Sequence, residues 1–181
     1  MTTVKPRHLV AVPDRAPIGA PGPEAGINQA RTAARAALAA GHEVGDLWIQ
    51  RHTDARDKGK PGAEGRRACA THVATYTATQ AAALALVQAA TGTRISARRA
   101  ALGLAVSAAT HYAADRRTPL RRLAEAMQPR FGKADFYALG APREGHDDNP
   151  TLGTGAYALD QAWHTATSVF AAALIIAGGA R

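Results

Sequence analysis

The sequence predicts an all-α protein in which four long helices form an up-and-down four-helix bundle. Four long segments are rich in Ala and free of internal Pro, a composition that favours helix over strand. His and Asp recur four residues apart in three of these segments, and this spacing places both side chains on one face of a helix. The chain of 181 residues is long enough for a single domain with its own core.

The first predicted helix is interrupted only by Gly41 and Gly45, near its end. The second predicted helix is Ala-rich and places His72, Tyr76 and Gln80 in one row, four residues apart. Because short connections join neighbouring helices in such bundles, consecutive helices are expected to run in opposite directions. The four helices are predicted over residues 27–50, 68–92, 97–117 and 155–177.

The remaining segments are predicted to be connections. Residues 1–26 are dense in Pro and Gly and form a flexible leader, so that residues 27–181 are the single folded domain. Residues 51–67 carry charges of both signs together with Pro61 and three glycines, a composition typical of a solvated connection.

The third helix is predicted to end before Thr118 and Pro119, because this pair is typical of an N-cap followed by proline at the first helical position. A short extra amphipathic helix follows over residues 120–127, and a long loop over residues 129–154 leads to the last helix. In that loop, an exposed polar turn explains three residues better than a cation site: His146, Asp147 and Asp148.

The His and Asp residues of the four helices are the candidate functional residues. In up-and-down order their positions all fall at the same end of the bundle, so we expect one cluster there. The candidate metal ligands are His42, Asp46, His72, His111, Asp115, Asp160 and His164. Imidazole and carboxylate suit zinc, iron or manganese. Seven candidates exceed the ligands of one tetrahedral ion, so either two ions or one ion with outer partners would use them.

Two other interpretations of the cluster stay open. His and Asp in a polar bundle interior can simply satisfy one another as a structural core, or they can handle protons or ions. The single cysteine, Cys69, excludes a disulfide within the chain and excludes multi-cysteine zinc sites.

Glu43 is the candidate catalytic residue. The stretch from His42 to Asp46 is similar to the helical zinc-hydrolase motif, with Asp in place of the second His. In that motif the Glu activates water, so a metal-dependent hydrolase is one predicted activity.

The formal net charge of +8 is compatible with binding to nucleic acid or to anionic lipid. A soluble, basic helical module of a mobile element that binds nucleic acid is therefore an alternative function, although no helix-turn-helix spacing is evident. The sequence contains no phosphate-binding loop, no dinucleotide fingerprint and no Gly-x-Ser-x-Gly nucleophile.

Hydropathy leaves a membrane bundle and a soluble bundle open. The long segments approach the roughly 20 residues that cross a bilayer. However, Ala contributes little to insertion, and Arg35, Glu43 and Asp46 would be costly in lipid unless they face the bundle interior.

The ordered motifs of the chain resemble those of an uncharacterised family of bacterial and phage integral-membrane proteins. That family carries His-x-x-x-Asp-x-x-x-Gln in its first helix, His in the second, His-x-x-x-Asp in the third and Asp-Gln-x-x-His in the last. The matching positions here are His42, Asp46, Gln50, His72, His111, Asp115, Asp160, Gln161 and His164. The sequence is more similar still to small proteins of actinobacterial plasmids and integrated elements.

The resemblance covers residues 39–177 and implies four membrane-spanning helices, a location in the cell membrane and the lipid bilayer as partner. It implies no established activity. The leading hypothesis is thus a small helical membrane protein whose His and Asp cluster binds a divalent metal and is hydrolytic. A cytoplasmic nucleic-acid-binding module and a structural membrane protein with a polar core are the alternatives.

Overall fold

The computed structural model describes residues 23–141 and 153–176. Of these residues, 86% lie in helices and none lies in a strand, so the predicted all-α class is confirmed. The helices are α1 (Pro23–Val44) with a π-helical turn directly after it (Gly45–Ile49), α2 (His52–Asp57), α3 (Gly62–Thr91), α4 (Ala97–Asp115), α5 (Thr118–Ala126), α6 (Gln128–Phe131), α7 (Lys133–Ala138) and α8 (Gly155–Ile176).

The four long helices pack as a ring, with α1 against α3 and α8, and α4 against the same two helices. Leu38 of α1 and Leu84 of α3 meet α8 in one apolar core. Leu38 precedes His42 along α1, whereas His72 precedes Leu84 along α3, so these two neighbouring helices run in opposite directions. The buried core residues are Ala34, Ala37, Leu38, Leu84, Ala171, Ala172 and Ile175.

Gly41 and Gly45 lie where α1 and its π-helical turn cross α3. A Cβ atom on Gly41 would stand 2.8 Å from the Cα of Gln80, closer than real Cβ contacts come. A Cβ atom on Gly45 would stand 3.1 Å from Cδ2 of Tyr76. These glycines therefore allow the two backbones to approach closely, which brings the end of α1 against the polar row of α3.

The prediction of a solvated connection over residues 51–67 is wrong. The segment contains α2 and the first turns of α3, and Asp54 and Asp57 are buried. Arg116 donates hydrogen bonds to the backbone carbonyls of Lys58 and Lys60. The segment is therefore folded against the end of α4.

The short amphipathic helix predicted over residues 120–127 is present as α5. The long loop predicted over residues 129–154 is wrong in its first part, because α6 and α7 occupy most of residues 128–138. His146, Asp147 and Asp148 lie outside the described residues, as do residues 1–22 of the predicted leader. The last four residues of that leader, 23–26, instead form the first turn of α1, so this part of the prediction is wrong.

The predicted membrane embedding requires helices that can cross a bilayer. Within residues 23–141 and 153–176, no helix is both long and apolar enough to do so. The described helices therefore give the predicted membrane spans no support.

Candidate metal centre

Four histidines, one from each long helix, meet at one end of the helix ring. His42, His72, His111 and His164 are each at most 4% exposed. The rings of His111 and His164 stack with centroids 4.1 Å apart, and the ring of His72 lies 5.0 Å from that of His111. The expected convergence of the histidines is confirmed.

The centre of the cluster is a quartet of side-chain atoms: His72 Nε2, His111 Nε2, Asp46 Oδ1 and Asp115 Oδ2. The two nitrogens are 2.9 Å apart. Asp46 Oδ1 lies 3.1 Å from the nitrogen of His72 and 3.3 Å from that of His111. Asp115 Oδ2 lies 3.2 Å from each nitrogen. The quartet joins α3, α4 and the π-helical turn after α1.

The five separations that involve the two imidazole nitrogens are close to the spacing of ligands around a metal ion, and His72, His111 and Asp115 form a group that could hold one. Four ligands at about 2.0–2.1 Å from an ion stand roughly 3.3–3.4 Å from one another. Asp46 Oδ1 and Asp115 Oδ2 are buried and accept no hydrogen bond of good geometry, despite lying within 3.3 Å of imidazole nitrogens. A cation between the four atoms would satisfy both oxygens at once.

The quartet favours positive charge. Burial raises the pKa of Asp46, but His111 and His72 lower it by more than burial raises it, so its pKa lies well below the usual range. Burial likewise raises the pKa of Asp115, and His111 and Lys58 more than reverse this effect. Burial lowers the pKa of His111, yet the two carboxylates raise it to about 9. Both carboxylates are therefore charged at neutral pH, and two buried negative charges need compensating cations.

Lys58 holds the second oxygen of Asp115. Its Nζ lies 2.7 Å from Asp115 Oδ1, and the two side chains are 14% and 1% exposed. This ion pair orients the carboxylate so that Oδ2 faces the nitrogens of His72 and His111. Outer partners commonly orient metal ligands in this way. Sequence reasoning missed Lys58, since it follows α2 in the segment that was predicted to be solvated.

The outer part of the cluster lies on α8 and the end of α1. His164 Nε2 is 3.3 Å from Asp160 Oδ2, and His42 Nε2 is 3.3 Å from the side-chain oxygen of Gln161. Burial lowers the pKa of His42, although Asp46 opposes the effect, so its imidazole is neutral at pH 7. Asp115, Asp160 and His164 bring one ligand atom each within 4.8 Å of one another. Asp160 and His164 therefore suit either a second ion that shares Asp115 or a role as supporting partners.

A hydrogen-bonded network separates the cluster from the apolar core. The Tyr76 ring stacks on His111 with centroids 3.8 Å apart. Gln80 Nε2 donates to the Tyr76 hydroxyl at 2.8 Å, and Ser107 Oγ donates to Gln80 Oε1, also at 2.8 Å. Burial raises the pKa of Tyr76 to about 12, so the phenol is neutral at pH 7. The stacked Tyr76 ring packs against the His111 ring. The predicted row of His72, Tyr76 and Gln80 is buried, whereas sequence reasoning missed Ser107.

Glu43 lies outside the quartet. It is exposed and, with His42, lines an open groove between α1 and α8. Among the described residues its carboxylate has no hydrogen-bond or ion-pair partner. The candidate base is therefore next to the cluster and accessible from solvent, without being a member of it.

Comparisons with known protein families, with curated proteins and with solved structures found no match to this chain. The resemblance to membrane proteins of bacteria and phages thus stays a prediction. What the fold and the site define is a helical protein with a buried cluster of His and Asp that could hold a metal ion.

Proposed function

We propose that this chain is a metal-binding protein in which His72, His111, Asp46 and Asp115 hold one divalent cation. The observation that carries the proposal is the set of five separations of 2.9–3.3 Å among the four atoms. Two imidazole protons are too few to make a hydrogen bond in each of these five contacts. The lone pairs of the nitrogens and oxygens can instead be directed at a cation.

Charge and ligand type agree with the proposal. Two neutral imidazoles and two carboxylates balance a divalent ion, and Lys58, which pairs with Asp115, adds one positive charge beside the site. This donor set suits zinc, iron or manganese. The nitrogens bind an ion only when deprotonated, so binding displaces the proton that the carboxylates attract to His111.

Hydrolysis is the reaction class proposed for this site, and it requires that only three of the four side chains bind the ion, which leaves one coordination position for water. A divalent ion there supplies Lewis-acid chemistry. Glu43 is the proposed base, because its free carboxylate lines the groove that ends at His42. In this proposal Glu43→Gln keeps the bound metal and removes hydrolysis, whereas a variant that keeps hydrolytic activity contradicts the role of Glu43.

Elemental analysis of the purified protein tests the metal proposal. We expect about one equivalent of zinc, iron or manganese in the quartet, and its loss in His111→Ala. The matched control is His52→Ala, because His52 is an exposed histidine outside the cluster. Protein that contains none of the three metals, even after incubation with each of them, would contradict the proposal and leave a structural polar core.

Membrane location and nucleic-acid binding stay predictions from the sequence. We expect a membrane protein to need detergent for extraction, so recovery without detergent would contradict that prediction. The nucleic-acid alternative, which relies on the net charge of +8, requires salt-dependent binding to DNA or RNA.

A further inference from the structure

An open groove lies between α1 and α8, beside the metal centre. Its volume is about 450 Å³, and His42 lies at the end nearest to the quartet. His42 Nδ1 is 3.6 Å from Asp46 Oδ2, so the side chain of His42 separates the groove from a proposed metal ligand. A ligand in the groove would therefore contact His42, which lies next to the centre.

Two arginines lie along this groove at helical spacing. Arg31 and Arg35 are four residues apart on α1, and both are exposed groove residues. Within the described part of the chain neither guanidinium has an ion-pair or hydrogen-bond partner, whereas Arg51 and Arg56 are each paired with an Asp. Two free guanidinium groups beside a concave surface favour an anionic ligand, phosphate in particular.

The wall between the arginines and His42 is mainly apolar. Ala36 and Ala39 line it from α1, and Val169, which is 42% exposed, lines it from α8. Arg35 lies seven residues before His42, which corresponds to about 10 Å along the helix axis at 1.5 Å per residue. A ligand that contacts both ends of the groove needs an apolar body of that length.

We propose that the groove binds a phosphate ester with an apolar body, whose phosphate is held by Arg31 and Arg35. The apolar body packs on Ala39 and Val169, and the far end of the ligand reaches His42, next to the centre. The inference deepens the proposed function, because it names the ligand class that the metal centre would act on. Remote binding energy from the phosphate would then position the reacting group.

Binding of 1-naphthyl phosphate to the full chain tests this inference. We expect the Kd of a variant that carries both Arg31→Gln and Arg35→Gln to rise roughly tenfold or more, since two charge-assisted contacts are lost. The control Arg98→Gln removes the charge of an exposed arginine on α4 and should leave the Kd unchanged. Neutral 1-naphthol should bind weakly and equally to all of these proteins.

Vesicles containing phosphatidic acid distinguish the source of the phosphate. If arginine-dependent binding occurs with the vesicles but not with naphthyl phosphate, the ligand is a lipid ester. If it occurs with naphthyl phosphate but not with the vesicles, the ligand is a soluble ester. Equal affinities of the wild type and the double arginine variant in both assays would overturn the inference. Because Arg31 and Arg35 are exposed, a thermal melt should show that the variant remains folded.

The same titration on chelated protein separates this inference from the metal proposal. Arginine-dependent binding to a protein that takes up no metal supports the groove and contradicts the metal centre. Metal binding that depends on His111, together with ligand binding that is independent of Arg31 and Arg35, supports the metal centre and contradicts the groove inference.

Discussion

Asp115 is the most constrained carboxylate of the cluster, because Lys58 contacts one of its oxygens and two imidazoles contact the other. Removing Lys58 would leave a buried charge with less compensation. We expect Lys58→Met to destabilise the metal-free protein by about 3 kcal/mol, a typical cost of breaking a buried ion pair. Urea unfolding in the presence of chelator measures this change.

Lys60→Met is the matched control for that variant. Lys60 pairs with Asp57 and Glu64 but is 43% exposed, so its loss should destabilise the protein much less than the loss of Lys58. Equal destabilisation by the two substitutions would show that the buried ion pair between Lys58 and Asp115 stabilises the protein no more than the exposed pairs of Lys60 do.

His111 also predicts how the stability of the metal-free protein depends on pH. Its pKa is raised from 6.5 to about 9 in the folded state, so protonated His111 stabilises the fold. This contribution is fully present below pH 6.5 and is lost as the pH rises through about 9. Asp46, whose pKa is lowered from 3.8, acts in the opposite sense: its contribution is present above pH 3.8 and is lost under more acidic conditions.

Free energies of unfolding measured from pH 5 to pH 10 in chelator check this dependence, with His111→Gln as the comparison. We expect the difference between wild type and variant to shrink as the pH rises through about 9. A difference that stays constant over that range would contradict protonation of His111 between the two carboxylates.

At the scale of the helices, the crossing of α1 and α3 decides whether Asp46 reaches His72. Gly41→Ala would place a methyl group 2.8 Å from the Cα of Gln80, a contact that backbone atoms cannot relieve without moving a helix. We expect a loss of about 1–3 kcal/mol in the free energy of unfolding and weaker metal binding, because overpacking displaces the helices.

Gly26→Ala, in the same helix, is the control for that substitution. A Cβ atom on Gly26 would meet no atom within 4 Å, so the change should be neutral or stabilising by up to about 1 kcal/mol. If Gly41→Ala behaved like Gly26→Ala in urea unfolding, the close crossing of α1 and α3 would be refuted.

For the whole molecule, the quartet connects elements that are distant along the chain. Asp46 follows α1, His72 belongs to α3, and His111 and Asp115 belong to α4. An ion bound to all four would tie the helices together, so its binding free energy would appear as folding stability. At a free ion concentration of one hundred times the Kd, this stabilisation is about 2.7 kcal/mol.

Thermal unfolding with and without chelator measures that linkage. We expect chelation to lower the Tm of the wild type clearly and to change the Tm of His111→Ala very little. A wild-type Tm that is insensitive to chelator, in a sample shown to contain the metal, would place the ion outside the quartet.

The sequence by itself determined the all-α class, the long helices and the candidate ligands. These features depend on composition and on residues three or four apart, which one helix brings together without help from the rest of the fold. The pairs His42 with Asp46 and His111 with Asp115 were therefore visible from spacing alone, and each is in contact in the structure.

Only the tertiary structure decided how those pairs meet. The contact of Lys58 with Asp115, the hydrogen bond between Ser107 and Gln80, and the close crossing at Gly41 join residues that lie far apart along the chain. No local pattern encodes such contacts, because they depend on which helix faces pack together and on how closely the backbones approach. The proposed role of Arg31 and Arg35 also depends on the tertiary structure, because the groove beside them forms only when α8 packs against α1.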